Sequence, residues 1–152
     1  MKYVIDSSSL INLKFYYTDI FESFWENFNE LVSTGTVISV REVFHEVLER
    51  DDFLSQWAKH NTSMFQTPSA SEMEIVRKIM NAHKELVKQN SFKYGKPVAD
   101  PFIIAKAVIE DSTVITEEKM IKGAHKIPNI CEEFNVRSIP FYNFMKEQGW
   151  VF

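Results

Sequence analysis

The opening residues constrain this chain most. Tyr3, Val4 and Ile5 form a short apolar run. Asp6 follows at once, then Ser7, Ser8 and Ser9, then Leu10 and Ile11. An unbroken apolar run predicts a strand buried on both faces, as in parallel sheets. A carboxylate directly after such a strand stands at the carboxyl edge of the sheet, where open α/β folds gather their ligands.

The rest of the chain alternates in the same manner. A short helix is expected over Ser8 to Phe15. A longer one follows, with Asp19 as N-cap and Glu22 three residues on. Its apolar stripe is Ile20, Phe21, Phe24, Trp25, Phe28, Leu31 and Val32; Glu22, Glu26 and Glu30 lie on the wet side, and Gly35 ends it. Thr36 to Ser39 is a strand and Val40 to Arg50 a helix. Asp51 or Asp52 caps a further helix holding Phe53, Leu54 and Trp57. Met64 and Phe65 form a small strand. Ser69 with Glu72 is a capping box opening a long helix striped by Met73, Val76, Ile79, Met80, His83, Leu86 and Val87. Asn90 to Pro97 is a loop. Asp100-Pro101 opens a helix, Phe102 to Glu110, that is apolar nearly all round. Thr113 to Thr116 is a strand, Glu117 to Lys122 a short helix, Gly123 to Pro128 a loop, and Asn129 to Phe134 a short helix that Asn135 terminates. Val136 to Ile139 is the last strand and Phe141 to Glu147 the last helix. Strands alternating with helices predict one α/β domain over residues 1–152, with a mainly parallel sheet of four or five strands covered on both faces.

Several function classes are disfavoured. With four glycines the chain has neither G-x-G-x-x-G nor G-x-x-x-x-G-K-[ST], against dinucleotide and P-loop readings. The histidines, His45, His60, His83 and His125, show no H-E-x-x-H spacing, against zinc. Cys131 is the one cysteine, so no internal disulfide forms and the thiol reads as buried and inert. No run approaches the roughly 18 apolar residues of a membrane span, and a cytoplasmic protein is expected. The net charge of -4 does not advertise a nucleic-acid binder, nor does it exclude one, because acids that hold metal lower the net charge.

The acids Asp6, Glu46, Asp100 and Glu118 carry the functional reading. Singly, each has an ordinary explanation: a helix cap for Asp6 and Asp100, a favourable dipole position for Glu117 and Glu118, a stripe-border residue for Glu46. Together they differ, because strand-to-helix junctions of a parallel sheet face one edge. Carboxylates gathered there repel one another unless a cation neutralises them. Oxygen-only ligands suit magnesium or manganese.

Val4-Ile5-Asp6-Ser7-Ser8 resembles the opening motif of the PIN-domain nucleases. Val43-Phe44-His45-Glu46 resembles their second motif, Ala99-Asp100-Pro101-Phe102 their third, and Val114-Ile115-Thr116-Glu117-Glu118 their fourth. The resemblance spans nearly the whole chain, and the size is similar to that of VapC-like toxins of toxin–antitoxin pairs. It implies a three-layer α/β/α PIN-like sandwich and metal-dependent hydrolysis of RNA phosphodiesters by a metal-activated water. Asp6, Glu46, Asp100 and Glu118 would hold Mg2+ or Mn2+, with Ser8 and Thr116 orienting them. It also implies a homodimer silenced by a cognate antitoxin protein. Glu118 stands where an Asp is more usual, Glu117 is its rival, and Glu42 rivals Glu46. Three alternatives stay open: a catalytically weak PIN scaffold that binds RNA or protein, a PIN-related nuclease acting on DNA, and another acidic-edge α/β fold. For the last, a receiver domain wants paired acids near the first strand and a haloacid-dehalogenase-like phosphatase wants D-x-D. Asp6 followed by three serines disfavours both.

Basic residues near these motifs have two readings. Lys119, Lys122, His125 and Lys126 form either a solvated loop or a phosphate-contacting rim. Arg41 and Lys106 are further candidates for phosphate. The aromatic cluster from Phe15 to Phe28 is core, with scope to extend into a dimer or antitoxin contact.

Overall fold

The computed structural model describes residues 1–50, 52–86 and 98–152. In chain order the elements are β1 (Tyr3–Ile5), α1 (Ser7–Asn12), a 3-10 turn (Leu13–Phe15), α2 (Glu22–Ser33), β2 (Val37–Val40), α3 (Arg41–Leu48), α4 (Phe53–Lys59), a 3-10 turn (Thr62–Met64), β3 (Phe65–Gln66), α5 (Ala70–Ala82), α6 (Asp100–Ile109), β4 (Thr113–Ile115), α7 (Ile127–Glu133), β5 (Ser138–Ile139) and α8 (Phe141–Glu147).

The five strands form one sheet in the order β3-β2-β1-β4-β5, and every pair is parallel. This is the PIN-like three-layer sandwich that the sequence predicts. β1 is central, its three side chains buried. From β1 the chain builds outward first to β2 and β3, then on the other side to β4 and β5. The gap between β1 and β4 is therefore the switch point where α/β sheets bind ligands.

One helical layer is aromatic. Phe24 stacks on Phe28 at 5.9 Å and meets Phe141 edge-on at 6.1 Å, tying α2 to α8. Tyr3 of β1 meets Phe144 of α8 at 4.9 Å. Trp25 donates its indole N–H to the Tyr16 carbonyl at 2.6 Å, so the polar end of a buried ring is satisfied. The other layer is α6 with α5 and α7. α6 is buried from Pro101 to Ala107, and the one charge within that stretch is Lys106, whose ammonium pairs with Glu72 of α5 at 2.7 Å and bonds Gln66 of β3 at 3.0 Å. Glu72 also closes the capping box with Ser69. Lys106 therefore ties three elements together, and its expected phosphate contact is ruled out by burial.

Several boundaries shift. α2 begins at Glu22 with Phe21 at the N-cap, so Asp19 is not the cap, and Ile20 and Phe21 are exposed. Asp52 caps α4 through the amides of Leu54 and Ser55, while Asp51 lies outside the described residues. Met64 belongs to the 3-10 turn and β3 starts one residue later. Long helix α5 stops at Ala82, with His83 as its C-cap; Val87 and the loop from Asn90 to Pro97 lie outside the described residues. No helix forms over Glu117 to Lys122: the Glu117 amide and carboxylate are spent on Ser8, Ser9 and Phe141, and the Glu118 amide on the Thr116 hydroxyl. α7 starts at Ile127, with Pro128 in its first turn, and ends before Asn135, whose φ is 56°. β5 is confined to Ser138 and Ile139. No helix among the described residues is long and apolar enough to cross a membrane.

Candidate metal centre

Asp6 stands at the switch point. Its backbone N–H still bonds the Ile115 carbonyl of β4 at 2.8 Å, while its own carbonyl accepts from Leu10 at 3.1 Å, opening α1. The residue is thus held by strand and helix at once, and its side chain is 3% exposed. Oδ1 accepts the Ser7 amide at 2.7 Å. Oδ2 accepts the hydroxyls of Ser8 at 2.8 Å and Thr116 at 2.9 Å. Each hydroxyl has one proton, and both are given to Asp6, so their oxygens are free to accept. Ser8 Oγ accepts the amide of Glu117 at 3.0 Å and Thr116 Oγ1 that of Glu118 at 3.1 Å. The two hydroxyls thereby lock the turn after β4 onto the carboxylate after β1.

The other acids arrive by separate routes. α6 runs back against the strands, so its N-terminus lies at their carboxyl edge, and Asp100 is its first residue. Ala99 occupies the N-cap position, so the capping explanation for Asp100 fails. α3 leaves β2 at the same edge and carries Glu46 in its second turn. Glu118 follows β4. Asp6, Glu46, Asp100 and Glu118 line one cavity of about 660 Å3, with Lys126 and His125 also at its wall.

The electrostatics follow from that crowding. Burial raises the Asp6 carboxyl above its usual range, against the pull of its Ser8, Thr116 and Ser7 hydrogen bonds. Asp100 is raised well above its usual range, by burial first and then by Glu118, Asp6 and Glu46. Glu118 is pushed up to about 7 by burial and by Asp6, although Lys126 and the Ile127 amide oppose this. Glu46 is raised by burial and by Asp6, with a Ser7 hydrogen bond opposing. Cys131, buried in α7, feels the same charges: burial, Asp100, Glu118 and Asp6 push its thiol up to about 12, which keeps it inert at neutral pH.

The rivals resolve by their bonds. Glu117 accepts the Ser9 hydroxyl at 2.8 Å and the Phe141 amide at 2.9 Å, so it holds α1 and the start of α8 and turns away from the cavity. Glu42 is 3% exposed and lies outside the cavity lining; its nearest cation is Arg41, 3.6 Å away. Of the basic candidates, His125 and Lys126 line the cavity while Lys119 and Lys122 do not. Two polar lining residues were given no role in the sequence. Ser7, which bonds Glu46, is hidden in a run of three serines. Glu85 follows the end of α5, and only the fold brings it to this edge.

The donor set, carboxylates and hydroxyls, fits a hard divalent cation. Among the described residues, no group of three His, Cys, Asp or Glu side chains stands close enough as placed to hold an ion.

The family model described as a domain of unknown function, DUF4411, matches residues 3–152. The chain belongs to the DUF4411 family. A solved structure similar to this DUF4411 chain is the crystal structure of VapBC2 from Rickettsia felis bound to a DNA fragment from their promoter. The TM-score is 0.53 at 14% identity, covering 92% of this chain and 98% of that one. At that identity the likeness shows the fold. No curated protein matches the sequence.

Proposed function

We propose that this DUF4411 chain is a Mg2+- or Mn2+-dependent endoribonuclease of the PIN type, acting as a single cytoplasmic domain and as the toxin of a toxin–antitoxin pair. One observation carries the reading: four acids from four separate segments converge on one cavity at the switch point, and Asp6, Glu46 and Glu118 each raise the carboxyl pKa of at least one other. Such a cavity repels a phosphodiester until a cation neutralises it. Asp6, Glu46, Asp100 and Glu118 would hold the metal, which when bound polarises the phosphate and activates water. Ser8 and Thr116 position Asp6 by giving it both their protons, and Ser7 positions Glu46. Lys126 offers an ammonium to phosphate at the rim. The exposed Phe15, Tyr17, Ile20 and Phe21 supply apolar surface for a cognate antitoxin or a second copy in a homodimer.

A binding-only PIN scaffold is the second reading, favoured by the spacing of the carboxylates as placed. Incubating a pool of structured RNAs with the purified protein decides between them. With manganese, cleavage is expected; with EDTA, or in Asp6→Asn, the rate should fall at least about 10^3-fold, the scale of losing several kcal/mol of charge stabilisation. Binding of the pool without turnover would establish the scaffold. A DNA pool run alongside distinguishes the two nucleic acids.

A further inference from the structure

The cavity has one titratable wall that the carboxylates do not explain. His125 lines it, and a chain of side chains holds its ring. His125 Nδ1 lies 2.7 Å from Nδ1 of His83, and His83 Nε2 lies 2.9 Å from Oε2 of Glu133. The imidazoles meet edge to face, with centroids 5.0 Å apart at 78°. His83 is 7% exposed at the C-cap of α5, and Glu133 ends α7. The loop carrying His125 is itself pinned: the Ala124 amide and the Asn129 side chain both bond the Ile121 carbonyl, at 2.9 and 2.7 Å.

Hydrogen-bond inventory fixes what this chain does. A carboxylate only accepts, so His83 Nε2 carries a proton toward Glu133. The two Nδ1 atoms share one further proton. Whichever ring owns it, His125 Nδ1 is committed to His83. Nε2, on the opposite edge of the ring, is the nitrogen left for a ligand in the cavity. It donates in the cationic form of the pair, in which a third proton sits on Nε2 and the Glu133 carboxylate balances the charge through His83. Carboxylate, imidazole, imidazole is the arrangement that orients a proton-transfer group. For packing alone, an apolar residue on the α5 stripe would serve better than a buried imidazole.

We propose that His125 is a catalytic residue of the cleavage, giving the proton to the leaving sugar oxygen, with His83 and Glu133 as positioning residues. This rests on the nuclease reading above. The oxygen of water bonds phosphorus as the P–O ester bond breaks. The electron pair of that bond goes to the sugar oxygen, which takes the proton from His125 Nε2. The attacking water loses its proton to a cavity carboxylate or to solvent, and His125 is reprotonated from solvent.

The test compares two leaving groups with the manganese-loaded full chain: RNA, whose sugar oxygen needs a proton, and bis(p-nitrophenyl) phosphate, whose nitrophenolate does not. His125→Gln should lower kcat on RNA about 100-fold, and on the nitrophenyl ester less than about 3-fold, the signature of a lost general acid. Glu133→Gln, on a half-exposed side chain that tolerates change, should lower kcat on RNA roughly 10-fold at unchanged KM, again sparing the ester. It carries the test alone if His125→Gln does not fold. Equal losses on both substrates, or none, would overturn the proposal while the nuclease stands. A wild type inactive on both overturns the nuclease reading, and this inference with it.

Discussion

Glu72 and Asp6 are equally buried, 2% and 3% exposed, and their surroundings are opposite. Glu72 meets an ammonium at 2.7 Å and a backbone amide at 2.6 Å. Asp6 meets an amide and hydroxyls, with Glu46, Asp100 and Glu118 bordering the same cavity. One acid is compensated by a cation within the chain; the other has only an amide and hydroxyls, and in the function proposed above its cation comes from outside. The first arrangement holds α5, α6 and β3 together, and the second sacrifices stability for a site.

The largest effect is expected at the compensated acid. Lys106→Met strands Glu72 in the core and should cost about 3–5 kcal/mol in chemical denaturation. Adding Glu72→Gln should recover much of that loss, because both charges are then gone. In the cavity the sign reverses. Asp100→Asn removes one of several like charges, so the metal-free protein should melt no lower than wild type. A large loss there would mean that Asp100 is a structural acid like Glu72.

Proton linkage gives the next effect. Raised carboxyl pKa values mean that the folded state holds protons that the unfolded chain has released. Their contribution is fully present below the unfolded pKa of about 4.5 and is lost as pH rises through the folded value. For Glu118 that window runs up to about 7. The metal-free melting temperature should fall across it and then level. Magnesium competes with those protons, so its stabilisation should grow over the same range, reaching about 2.7 kcal/mol at 100 times the dissociation constant. A melting temperature flat in pH and indifferent to magnesium would dissolve the contrast with Glu72.

Much of this was legible before folding. β1, the parallel sheet and the buried α6 follow from apolar runs that length and flanking residues sort into strands and a helix. Asp6, Asp100 and Glu118 stand at junctions that a parallel sheet brings to one edge, whereas Glu46 stood out only as a stripe-border residue in a stretch resembling a family motif; the fold places all four on one cavity. What stayed hidden depends on partners distant in sequence. Asp19 has the chemistry of a cap, yet the packing of Phe24 and Phe28 starts α2 three residues later. Lys106 lies near a motif, and only its 2.7 Å contact with Glu72 shows that it is spent. His83 read as a stripe residue, because its partners are 42 and 50 positions away.

Glu117 and Glu118 set the finest version of the comparison, two identical side chains on adjacent residues. Glu117 joins α1 to the first turn of α8 through two hydrogen bonds. Glu117→Ala should therefore cost about 1–2 kcal/mol, the usual range for losing a helix-end acceptor, and leave kcat within a few-fold. Glu118 meets the cavity, and its charged form is disfavoured by burial and by Asp6. Glu118→Ala should cost little stability, shrink the magnesium-induced melting shift and abolish most cleavage. Thermal melts with and without magnesium, run beside the RNA assay, read both outcomes. If the two variants exchanged phenotypes, Glu117 would be the fourth acid of the site, and the turn after β4 would have to rotate to present it.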